Sequence, residues 1–141
     1  MEDSRLIDRR PTLLFWFFPR RYTDPEEASK IRSLGAWTHS KFRYKQDPLW
    51  GIYDSFRPVK DIVKYQRGDC VDHTLVAASW LISEERDTYI TVVKTDSRDS
   101  FLHMVAHDGS MVYDYYDWYP RSDLESDVGP VVREKQIYKT E

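Results

Sequence analysis

Gly68-Asp69-Cys70-Val71-Asp72 decides how this chain is read, because the protein's one cysteine stands where a helix begins. Asp69 has the chemistry of an N-cap, and Asp72, three residues on, that of a capping-box acid. Val71, Leu75, Ala78 and Ile82 follow as one apolar stripe, widened by Ala77 and Leu81. The spacing predicts a central helix from Cys70 to about Ser83. At its N-terminus a thiol meets unpaired backbone N–H groups and the positive end of the helix dipole, both of which favour the reactive thiolate.

Downstream, Tyr89 to Val93 is β-branched and reads as a strand. Phe101 to His107 and Ser110 to Tyr116 read as two more, joined by Asp108-Gly109. Asp-Gly suits a two-residue type I′ hairpin turn, which needs φ > 0 at both positions. That register sets His103 opposite Asp114, Val105 opposite Val112 and His107 opposite Ser110. Directly opposed Cβ atoms lie roughly 4.5–5.5 Å apart, within reach of an imidazole–carboxylate hydrogen bond. Asp117 would fall opposite Ser100, out of reach. A three-residue loop from Asp108 to Ser110 would instead oppose Tyr115 to His103 and break the pair.

Upstream, Asp24-Pro25-Glu26-Glu27 combines an N-cap, a first-turn proline and acids near the helix start. Ala28, Ile31, Leu34, Thr38 and Phe42 continue at helical spacing, predicting a first helix to about Arg43. Residues 45–60 hold Pro48, Gly51 and Pro58 and read as a long loop, with a short helical turn expected over Val59 to Tyr65. Val131-Val132 and Ile137-Tyr138 suggest an edge strand. The expected organisation is an apolar and basic arm over 1–23, a domain over 24–120, and a polar C-terminal segment over 121–141.

A chain of 141 residues supports one domain with a real core. Its net charge of −3 argues against a general nucleic-acid binder. A single cysteine excludes an intramolecular disulfide. Leu13 to Phe18 is wholly apolar between arginine pairs, yet too short to span a bilayer or form a signal-peptide core. A buried strand is the expectation there, with a docking arm for a protein partner as the alternative. The absence of a signal peptide implies a cytoplasmic protein or one packaged in a larger assembly.

Taken together, these residues resemble the transglutaminase-like superfamily, a branch of the papain-like cysteine peptidase fold. The resemblance is carried by Ile31 to Tyr44, by Gly68-Asp69-Cys70-Val71-Asp72 with Leu75 and Leu81, by Tyr89 to Val93, by His103 leading a strand, and by Asp114 on the next. It covers about residues 24–116. Met104-Val105 and Tyr115 depart from the family's usual Ala-Trp and proline at those places. The resemblance implies an α+β domain in which the Cys70 helix packs on an antiparallel sheet. It also implies Cys70 as nucleophile, His103 as general base and acid, and Asp114 as the residue orienting the imidazole. Thiol chemistry asks for the same three roles. The expected activity is that of a cysteine protease or amidase working through an acyl-enzyme, on a protein or peptide substrate and without an organic cofactor. The Cys70 N–H would hold the oxyanion with one more donor, for which Trp37, Trp50 and Gln66 are candidates.

Two rival readings stand beside it. Cys70, His73 and His103 could form a metal site, although His103 and His107 lie too far apart along a strand, roughly 13 Å, to chelate one ion. A non-catalytic structural or assembly protein with this fold, such as a component of a viral or phage particle, would also suit the aromatic surface. Asp72 reads as a capping acid and His39 as a surface residue. Tyr113 and Tyr115 read as packing, with Tyr116, Trp118 and Tyr119 as candidate cleft wall.

Overall fold

The computed structural model describes residues 10–45, 55–95 and 102–141. In chain order, β1 (Arg10–Pro11) leads into α1 (Thr12–Phe17), then α2 (Pro25–Ala28), α3 (Leu34–Ser40) and β2 (Arg43–Tyr44). After β3 (Ser55–Phe56) come α4 (Val59–Tyr65), β4 (Arg67–Gly68) and α5 (Cys70–Ser83). The second half contributes β5 (Thr88–Lys94), β6 (Leu102–His107), β7 (Met111–Asp114), β8 (Asp117–Pro120), α6 (Leu124–Asp127) and β9 (Val131–Tyr138). Five strands form one antiparallel sheet in the order β8-β7-β6-β5-β9.

Helix α5 is the axis of the molecule. Every residue from Cys70 to Ser79 is buried, as are Leu81 and Ile82. A helix apolar on all sides must be covered on all sides. The sheet covers one side through Ile90, Val92, Met104, Ala106 and Tyr113. Ile31, Leu34, Trp37, Phe42 and Ile62 join the same core from the segments that precede α5. Leu75 and Leu81 are fully buried, so truncating either to alanine would cost about 2–5 kcal/mol. Three polar ties fix the helix laterally. The Thr74 hydroxyl donates to the Met104 carbonyl at 2.9 Å, the Trp80 indole N–H to the Ile31 carbonyl at 3.0 Å, and the Asp24 N–H to Ser79 Oγ at 3.0 Å. The sheet's other face has its own small core of Val93, Val105, Val112 and Leu124.

Three expectations are corrected here. The segment Leu13 to Phe18 is not a strand: residues 12–17 form α1, with Phe15 and Trp16 buried and Phe17 and Phe18 exposed. A helical turn followed by Pro19 separates the run into an inward pair and an outward pair, which strand alternation could not do. The single helix expected from Asp24 to Arg43 is two. Asp24 caps the first, accepting from the Glu27 N–H, but Ser33 then opens a second by accepting from the Ala36 N–H. The apolar stripe nonetheless goes where its spacing says, since Ala28, Ile31, Leu34, Thr38 and Phe42 are all buried. Finally, the hairpin register is shifted: His107 pairs with Val112 and Ala106 with Tyr113.

The cause of that shift is Asp108. Its carboxylate accepts from the Ser110 and Met111 N–H groups at 2.9 and 2.8 Å, making a side-chain-stabilised turn two residues longer than a type I′ loop, both on the β7 side. Its other oxygen takes the Tyr113 hydroxyl and the Arg86 guanidinium. Because the register moves by two residues, side chains keep their faces.

Candidate functional site

The start of α5 is built from its own sequence. Asp69 Oδ1 accepts from the N–H groups of Val71 and Asp72, at 3.0 and 3.2 Å. Asp72 Oδ2 returns the bond by accepting from the Asp69 N–H at 3.0 Å, completing a capping box. Both carboxylates are buried, and Asp72 is joined at 2.6 Å by Arg57. Gly68 is glycine for a steric reason: a Cβ there would overlap the Asp72 side chain. Asp72 is thus the capping acid that the spacing suggested. The arrangement presents Cys70 at the first helical position, 7 % exposed, beneath the surface but not sealed from it.

His103 is the second residue of β6, opposite Val93. Its Nε2 lies 2.8 Å from Asp114 Oδ1. Strict opposition is absent, since β6–β7 pairing stops at Ala106 and Tyr113. Asp114 is reached on the diagonal, which a two-residue register shift leaves on the same face and within reach of long side chains. Tyr115 then takes a left-handed conformation, φ 51°, and turns the chain into β8. That reversal brings the Tyr119 hydroxyl to Asp114 Oδ2 at 3.0 Å, so both oxygens of the carboxylate are held. Asp117, by contrast, is exposed across the turn from Asp114.

The Cys70 side chain is a hydrogen-bonding neighbour of the same imidazole. Burial works against a charge on His103, but the hydrogen bonds to Asp114 and Cys70, together with their negative charge, outweigh it. They raise the ring to about 10. An imidazole held this way stands between a sulfur and a carboxylate, an arrangement able to pass a proton. Tyr119 stays protonated, because burial and the adjacent Asp114 charge raise its phenol well above the ordinary value, and it therefore donates.

The other sequence candidates fall elsewhere. His73, one turn along α5, is buried and its Nε2 lies 2.9 Å from Thr38 Oγ1. Burial lowers it to about 4, with Asp114 opposing and His103 assisting, so it remains neutral across the ordinary pH range. Trp37, Phe42 and Tyr115 surround its ring. Trp37 is core packing, 5.1 Å from Phe42 between ring centres. Gln66 ends α4 in a left-handed conformation, and its carbonyl accepts from the Arg43 N–H. Trp50 lies outside the described residues. His107, four residues further along β6, bonds to Glu134 at 2.6 Å, and His39 is exposed, stacked on Tyr116 at 4.4 Å. Among the described residues no three metal-ligating side chains gather.

No protein-family model matches the chain, and no curated protein matches it. Solved structures do. The calcium-bound form of LapG from Legionella pneumophila, a transglutaminase-like cysteine protease, aligns over 79 % of this chain and 64 % of its own length, with a TM-score of 0.56 and 18 % identity. Another LapG structure from the same organism aligns over 88 % and 73 %, with a TM-score of 0.54 and 17 % identity. An inferred cysteine protease from Cytophaga hutchinsonii covers 99 % of this chain and 63 % of its own, with a TM-score of 0.54 and 13 % identity. This chain has the transglutaminase-like, papain-like fold.

The chain spans 64 % of the calcium-bound LapG and 59 % of the EGTA-treated form, less than two thirds of either. At such identity the likeness speaks for architecture: a cysteine-bearing helix against an antiparallel sheet. Tyr119 and Arg57 have no motif in the sequence that marks them. Tyr119 is recoverable only once Tyr115-Tyr116 is recognised as a two-residue reversal, and Arg57 only once Asp72 is known to be buried. No helix among the described residues is long and apolar enough to cross a membrane.

Proposed function

We propose that the protein is a thiol hydrolase acting on amide carbonyls of protein or peptide substrates, with Cys70 as nucleophile, His103 as base and acid, and Asp114 as the residue orienting the imidazole. The observation that carries this reading is the His103–Asp114 contact at 2.8 Å on a ring that also neighbours the Cys70 thiol. Nε2 is committed to Asp114, which leaves Nδ1 to take the thiol proton.

The sulfur then adds to the carbonyl carbon, and the π electrons move onto oxygen. Collapse of the intermediate breaks the C–N bond, and the imidazolium gives its proton to the departing amine. The resulting thioester is hydrolysed when His103 deprotonates a water that attacks the same carbon, returning the free thiol. Asp114 contributes by fixing the tautomer and stabilising the imidazolium. Its own position is stiffened by Tyr119, which touches neither sulfur nor ring nitrogen.

Intact-mass measurement with a thiol-directed acylating probe tests the proposal. The wild type should gain one acyl group on Cys70 and lose it again with time. Cys70→Ala should gain none, and His103→Ala should acylate at least about a hundredfold more slowly. Equal acylation of wild type and His103→Ala would refute it.

A further inference from the structure

Four backbone N–H groups open α5 without helical partners, and their fates can be followed one by one. Those of Val71 and Asp72 go to the Asp69 carboxylate, and that of Asp69 itself goes to the Asp72 carboxylate. That of Cys70 is faced by a side chain from elsewhere: the hydroxyl of Tyr44. The placement is built in. Strand β2 runs parallel to β4 with Tyr44 paired to Gly68, two residues ahead of Cys70. Main-chain bonds flank it on both sides, Arg43 N–H to the Gln66 carbonyl at 2.8 Å and Lys45 N–H to the Gly68 carbonyl at 2.7 Å. The ring rests on Tyr115 at 5.0 Å, leaving Tyr44 38 % exposed.

A hydroxyl facing the N–H of the attacking residue sits beside the place where a tetrahedral intermediate puts its negative charge. We propose that Tyr44 is the second oxyanion donor, a catalytic residue that turns its O–H onto the substrate oxygen once that oxygen takes the Cys70 N–H. The inference rests on the thiol-hydrolase reading and adds to it a residue that sequence patterns did not suggest. As sulfur bonds to carbon, the π pair of the carbonyl becomes the oxyanion, and Tyr44 keeps its proton while donating to it. The phenol is suited to this. Burial, and then the charges of Cys70, Asp69 and Asp114, raise it far above the ordinary tyrosine value, with the Cys70 N–H opposing, so it stays protonated. Tyr44 thereby does for this site what an indole or amide would do, and the candidates Trp37 and Gln66 are not needed for it.

Two reagents separate this role from simple support of the thiol. p-Nitrophenyl acetate acylates Cys70 through an oxyanion, whereas iodoacetamide alkylates it by displacement of iodide, without one. In Tyr44→Phe, acylation by p-nitrophenyl acetate should fall about 10²–10³-fold, the usual loss for one oxyanion donor. Alkylation by iodoacetamide should stay within about twofold, which also reports an intact helix start. Equal losses with both reagents would make Tyr44 a structural support and overturn the proposal, as would no loss with either. If wild type itself reacts with iodoacetamide no faster than His103→Ala, the thiol-hydrolase reading fails and Tyr44's role falls with it, a result separable from the other two.

Discussion

Arg57 and Asp72 meet at 2.6 Å beneath the first turn of α5, a half-buried guanidinium on a buried carboxylate two residues after Cys70. Asp72 is 1 % exposed and serves two partners with one oxygen, the Arg57 guanidinium and the Asp69 N–H. The pair therefore links a loop residue to the cap of the helix that carries the sulfur.

Asp72→Ala should destabilise the protein by about 3 kcal/mol, since it strands the Arg57 charge and removes half of the capping box. Urea denaturation of wild type and variant measures this. A loss below about 1 kcal/mol would show that the pair is not needed to hold the helix start.

Asp114 and Asp117 stand at the two ends of one tight turn, yet only Asp114 touches the imidazole. Asp114→Asn should slow acylation of Cys70 by about a hundredfold or more, because an amide neither stabilises the imidazolium nor selects its tautomer. Asp117→Asn should leave the rate within about twofold. Stopped-flow acylation of the two variants compares them directly, and the reverse order would displace Asp114 from the site.

Stability should pass through a maximum near pH 6.5, with two histidines shaping its two limbs. His103 is raised in the folded protein to about 10, so its contribution is complete below the unfolded value of about 6.5 and is lost as pH climbs toward 10. His73 is lowered to about 4, so the unfolded chain binds the extra proton and stability falls as pH drops from about 6.5 toward 4. Chemical denaturation across this range should show both limbs. Asp114→Asn should flatten the alkaline limb, and His73→Asn the acid one. Unchanged slopes would mean that neither ring is perturbed as described.

How far the site was legible depended on whether each contact is local. The capping residues Asp69 and Asp72, three apart on one helix, follow from spacing alone, and so does the start of α5 at Cys70. The His103–Asp114 pair was reached through a hairpin register that is itself two residues off. Parity rescued it, because any even shift keeps both side chains on one face, whereas the odd loop would have parted them. The chemistry of Asp108 explains the error: its carboxylate organises a wider turn that Asp-Gly propensity does not reveal. Ser33 likewise broke the expected first helix, by offering the backbone a new cap in the middle of an unbroken apolar stripe. Tyr44 was beyond sequence reading altogether. It reaches Cys70 through a parallel pairing of two-residue strands, β2 with β4, and neither strand carries an alternating pattern long enough to announce itself.

The most direct measurement of the central claim is the rate at which iodoacetamide alkylates Cys70 at pH 6.5, in wild type and in His103→Ala. With His103 beside it to take its proton, the Cys70 thiol should be alkylated at least about tenfold faster in wild type than in the variant. Equal rates, with both proteins folded, would show that His103 does not activate the sulfur and would contradict the account.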